Sequence, residues 1–183
     1  MKNKQRKNSS YSIKKLTVCS LLAALGVVIM LLGSLLDILD ISVAVIASLL
    51  CIIAVIEYGK SAPWLVFAVT AVLSFLLLPG NKSPALFYTV FFGFYPILKE
   101  KIEKKSKVIS WILKEVVFNI CLIPMMFMTV FLLVDPSKNS LINPITISIA
   151  VVLFEVVFVA YDFAMTGLIS LYIFKLRKRL KIN

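Results

Sequence analysis

The sequence contains no histidine. That absence removes the commonest general base, most zinc sites and any histidine-based proton relay. Acidic residues are scarce, 9 against 20 basic ones, and the formal net charge is +11. Cysteine occurs three times, at Cys19, Cys51 and Cys121, each inside an apolar run. An odd set at these spacings matches no metal motif and builds no disulfide framework, so the three read as small packing residues. There is no phosphate-cradling glycine loop, no dinucleotide turn and no G-x-S-x-G nucleophile. The chain reads as a non-enzyme without metal or cofactor, unable by itself to hydrolyse ATP.

Apolar residues fill the space left by these absences. The chain has 183 residues, 61% of them hydrophobic, with mean hydropathy +1.00. Ordinary soluble domains are about 45–50% apolar. Charged residues make up 16% and cluster, leaving long uncharged runs between the clusters. This pattern excludes a soluble enzyme and a disordered chain and predicts an integral membrane protein. The runs are continuously apolar and not alternating, which excludes a β-barrel. The first run, Leu16–Leu36, has 21 residues and no small-residue cleavage pattern, so it reads as a spanning helix and not a signal peptide.

Six spans are predicted, at Leu16–Leu36, Ile41–Ile56, Pro63–Leu78, Pro84–Leu98, Val108–Val134 and Ile145–Phe174. The expected architecture is an all-α, six-helix transmembrane bundle in one domain, 1–183, with basic segments at 1–15 and 175–183. Its orientation follows from the basic residues. Six stand before Leu16, one is Lys60, five lie between Lys99 and Lys107, and five follow Phe174. These seventeen share one side, against Lys82 and Lys138 on the other. Both termini are therefore expected in the cytoplasm of a bacterial plasma membrane. The basic clusters are topology signals that also suit membrane lipid, and they give no reason to expect nucleic acid. The predicted outer loops are Asp37–Asp40, Pro79–Ser83 and Asp135–Asn143.

Charges inside apolar runs are costly and should face the bundle interior or water. Glu155 lies 11 residues past Pro144, about 16 Å along a helix. Asp162 follows seven residues later on nearly the same face. Lys114 and Glu115 lie in the fifth span, and pairing of Lys114 with Asp162 or of Glu115 with a neighbour would make them structural. Glu155 has no evident basic partner at its depth and is the candidate polar anchor for a ligand. The fourth span is aromatic, with Tyr88, Phe91, Phe92 and Tyr95 able to form a stacking wall. Asn81 and Lys82 stand in the rigid turn before it, between Pro79 and Pro84, and would cap a pocket. In the first span Ser20 and Ala24 are small residues four apart, a spacing that lets another helix approach closely in lipid.

Taken together, these features resemble the substrate-binding S component of energy-coupling-factor (ECF) vitamin transporters. The resemblance covers nearly the whole chain: its length, six helices with both ends inside, and a basic start leading into Ile13–Leu25. It implies docking of Ser20 and Ala24 on a transmembrane T component that acts with two ATPase subunits. The family's strict form has alanine at both positions, and this chain has serine at the first. The resemblance also implies a pocket near the outer face that takes a vitamin-like or other small solute. Here it would be formed by Glu155, Asp162, the aromatic wall and the Asn81–Lys82 cap. The alternative is a structural or regulatory membrane subunit without a small ligand.

Overall fold

Long runs without glycine, proline or alternation favour helices, and every secondary-structure element among the described residues is helical. The computed structural model describes residues 2–36, 40–59, 61–133 and 144–176. Of the features predicted above, Asp37, Lys60, Lys138 with the whole of its loop, and the basic residues after Leu176 lie outside them.

Helix α1 spans Lys2–Leu36. It starts fourteen residues before the predicted span, because 2–15 is rich in lysine and has no glycine or proline to stop a helix. Helix α2 spans Asp40–Tyr58 and ends on Gly59 at φ +50°, a left-handed terminator that favours glycine. Helix α3 spans Ala62–Leu77, with proline in its first turn. These three pack against one another. Cys19, Leu22 and Ala23 of α1 meet Ala54 of α2 and Ala62 and Val66 of α3. The residues at this seam are mostly small, as close helix approach in lipid requires.

The predicted fourth span is not one helix. It divides into α4 (Ser83–Phe87), a π-helix (Tyr88–Phe92) and α5 (Tyr95–Ile102). The Gly93 N–H bonds back five residues to the Tyr88 carbonyl at 2.7 Å. Pro96 has no N–H to return to Phe92, and the next donor, Ile97, bonds to Phe94 at 3.0 Å. Helix α6 then spans Lys107–Leu133 with Pro124 inside it, and α7 spans Pro144–Leu171, followed by a second π-helix at Tyr172–Leu176.

Among the described residues four helices are long and apolar enough to cross a membrane: Ser12–Leu36, Asp40–Tyr58, Lys107–Phe127 and Ile147–Lys175. This is the build of a multi-pass membrane protein. The apolar helix Ala62–Leu77 is shorter, at 16 residues or about 24 Å. The chain divides into two compact units, Met1–Cys121 and Leu122–Asn183.

Candidate functional site

In the first unit the predicted cap and aromatic wall come from one distorted segment. Pro79 and Gly80 turn the chain after α3, and Asn81 ties that turn down. Its side-chain amide donates to Asp40 Oδ2 at 2.7 Å, and its Oδ1 accepts the Ser83 N–H at 2.9 Å. Ser34 Oγ donates to the Asn81 carbonyl at 2.8 Å. One asparagine thus joins the end of α1, the start of α2 and the start of α4. Lys82, beside it, is exposed.

Beyond this clamp the aromatic residues turn inward. Tyr88, Phe91 and Tyr95 are completely buried, and Phe92 nearly so. Phe91 is the hub, with ring centroids 4.8 Å from Tyr95, 5.3 Å from Phe92 and 5.3 Å from Phe118 of α6. Phe67 of α3 lies 5.9 Å from Tyr88. The four predicted wall residues are therefore brought together, but as a cluster packed on itself and on neighbouring helices.

Two hydroxyls in this region, those of Thr70 and Ser74, were not picked out by sequence reasoning. Thr70 and Ser74 of α3 and the Tyr88 phenol are buried, and their hydroxyl oxygens have no hydrogen-bond partner of good geometry among the described residues. Thr70 lies within electrostatic range of Tyr88. Elsewhere in the chain helical threonines satisfy themselves by donating to the carbonyl four residues back: Thr17 to Ile13, Thr89 to Ala85 and Thr166 to Asp162. The signal available in the sequence was the i, i+4 pair of polar residues inside the apolar run of α3.

At the far end of the segment, charge is buried. Lys99 is 1% exposed and Lys114 4% exposed, and both ammonium groups lie 2.8 Å from Glu103 Oε1. Lys114 also stands 5.4 Å from the Trp111 ring centroid. Lys99 was expected among loop charges, but α5 continues past it and turns it inward. Partial burial pushes the Glu103 carboxyl up, and the hydrogen bonds and charges of Lys114 and Lys99 outweigh that and hold it below the usual carboxylate range.

The second unit holds the other predicted acids. On α7, Phe158, Tyr161, Asp162 and Met165 form a buried stripe at helical spacing, with Asp162 2% exposed. Glu155 is half-buried, one turn before Phe158 on the same side. In the first unit, Glu115 of α6 is half-buried as well, and its carbonyl accepts from Asn119 Nδ2 at 3.0 Å. Among the described residues no group of three potential metal ligands comes together.

Ser20 and Ala24 are exposed on α1, while Ala23 between them is buried. They floor an apolar groove of about 270 Å³ walled by Leu16, Leu65 and Leu73.

No protein-family model, curated protein or solved structure matches the chain.

Proposed function

We propose that the chain is the substrate-binding membrane subunit of an ECF-type importer. In this reading six segments cross a bacterial plasma membrane, α3 and the broken α4–α5 segment among them, with the basic ends in the cytoplasm. A vitamin-like or other small solute is taken from outside; the candidates for its contacts are the Asn81 clamp and aromatic cluster in the first unit and, in the second, the acidic Glu155 and Asp162. Delivery inward requires a T component and two ATPase subunits, which supply the energy this chain has no motif to supply.

The observation that carries the reading is the exposure of Ser20 and Ala24 over a groove. Small residues spent on packing the chain's own bundle would be buried, as Ala23 is. An exposed small pair leaves room for the backbone of a second protein's helix. The test is co-expression with a T component and its ATPases, followed by affinity purification. The wild type is expected to recover the complex, and Ser20→Leu and Ala24→Leu to lose it while remaining folded. Full recovery with both variants would defeat the assignment of this face.

The alternative, a structural or regulatory subunit without a solute, is favoured by one observation: Tyr88, Phe91 and Tyr95 are closed on themselves. Native mass spectrometry of the purified protein separates the two readings by whether a small molecule is retained.

A further inference from the structure

The groove between α1 and α3 has a direction. The two helices run parallel: Cys19 and Ala23 pack with Ala62 and Val66, and further along Gly26 faces Thr70. From Leu16 to Ala24 on one side and from Leu65 to Leu73 on the other, the groove extends eight residues, about 12 Å along each axis. Its lining is apolar apart from Ser20, and it opens on a surface of exposed aliphatic side chains, Leu21, Val28 and Val72 among them.

One end differs from the rest. Lys14 and Lys15 immediately precede Leu16. Trp64 immediately precedes Leu65, and the Lys101 ammonium stands 5.9 Å from the Trp64 ring centroid. Lys14, Lys15 and Lys101 make no ion pair with a described carboxylate, whereas Lys99, Lys104 and Lys114 all do. Lysines thus precede the first α1 residue of the groove, and an indole with a lysine beside it precedes the first α3 residue, the residue types that settle at the level of lipid headgroups.

We propose that this groove holds one acyl chain of an anionic phospholipid, with the phosphate among Lys14, Lys15 and Lys101. The small floor of Ser20, Ala23 and Ala24 lets the chain lie deeper than lipid against a leucine-covered helix, gaining dispersion contacts along its length. The lysines select the charge of the headgroup, because a basic pocket beside spanning helices attracts anionic lipid while a zwitterionic headgroup has no net charge to offer. Trp64 fixes the level, and Lys101 stacked over it is held where the phosphate arrives. The inference concerns the subunit before any partner docks and does not rest on the importer reading. A partner helix seated on Ser20 and Ala24 would displace the lipid.

The test is native mass spectrometry of the full-length protein released from nanodiscs of equimolar phosphatidylglycerol and phosphatidylcholine. The wild type is expected to keep one phosphatidylglycerol in preference to phosphatidylcholine, with roughly fivefold selectivity for each lysine engaged. Lys15→Gln combined with Lys101→Gln should still retain lipid but in nearly equal proportions. Ala24→Leu, which fills the groove from an exposed position, should retain neither. Retention at the mixing ratio by the wild type would overturn the proposal, as would undiminished retention by Ala24→Leu. A lipid-free dimer in place of the lipid-bound monomer would overturn it in favour of a second copy on the same face.

Discussion

Helix α1 and the segment Ser83–Ile102 are both apolar stretches of the first unit, yet they are built in opposite ways. α1 is one unbroken helix with small residues toward α2 and α3 and leucine or valine outward, among them Leu21, Leu25, Val28 and Leu32. The other segment is broken twice in twenty residues, and almost all of its large side chains point inward. Irregular backbone at membrane depth survives only where protein or a cavity covers it, so the breaks and the burial belong together. The difference separates two tasks. α1 keeps an exposed apolar surface, while the broken segment gathers a clamp, an aromatic hub and buried charge. Transport proteins commonly form solute sites at discontinuous helices.

The largest test of this division falls on the charge. Removing the carboxylate in Glu103→Ala takes away the partner shared by Lys99 and Lys114. Breaking a fully buried pair costs about 3–5 kcal/mol. Because the Glu103 side chain is 39% exposed, about 2 kcal/mol is the expected loss in chemical denaturation. The pH dependence has a definite sign. The folded-state pKa lies below the ordinary 4.5, so the stabilisation is complete above that pH and is lost as pH falls through the depressed value. The gap between wild type and Glu103→Ala should close on acidification below pH 4.5. A gap independent of pH would mean that Glu103 acts through packing and not charge.

The next test compares glycines. A Cβ at Gly93 would lie 2.6 Å from Phe67 Cδ2 and 2.7 Å from Tyr88 Cε1, whereas one at Gly80 meets nothing within 4 Å. Gly93→Ala is expected to cost about 1–3 kcal/mol by overpacking, and Gly80→Ala less than about 0.5 kcal/mol. α1 supplies its own counterpart, since a Cβ at Gly33 would lie 2.5 Å from both methyl carbons of Val43. Equal losses at Gly93 and Gly33 would show that both regions are packed alike. A much smaller loss at Gly93 would show that the π-helix yields.

The same contrast explains what could be read from the sequence. Unbroken helices were legible because hydropathy and length determine them: the second, fifth and sixth predicted spans agree with α2, α6 and α7 to within three residues at every end. The fourth span was misjudged as continuous because hydropathy does not register a missing N–H, although Gly93 and Pro96 were visible signals. Its aromatic residues were identified, but their reading as a stacking wall on one continuous helix assumed a spacing that the π-turn changes. The Asn81–Asp40 bond joins residues 41 apart, which no local pattern reveals. Lys99 looked like one more loop lysine because its burial depends on α6 supplying Lys114 across the hairpin to share Glu103. The acids of α7 were found from their cost in lipid, and Asp162 is buried.

The smallest expected effect discriminates most finely, because its sign is the readout. The Tyr88 phenol is fully buried, with the Thr70 side chain beside it and no hydrogen-bond partner of good geometry among the described residues, and an unpaired buried polar group costs about 1–3 kcal/mol. Tyr88→Phe removes that group and keeps the ring that packs on Phe67, so the ligand-free protein should be unchanged or more stable by about 1 kcal/mol. Thr89→Val, one residue on, removes a hydroxyl that donates to the Ala85 carbonyl at 2.7 Å, and it should destabilise by a similar amount. Melting temperatures of the two variants in the same detergent decide the matter. Opposite signs would establish that the broken segment keeps a hydroxyl the protein itself does not use, as a solute-binding region would. A loss of stability in Tyr88→Phe as large as that in Thr89→Val would show that the phenol is satisfied within the resting protein, and the segment would then differ from α1 in packing alone.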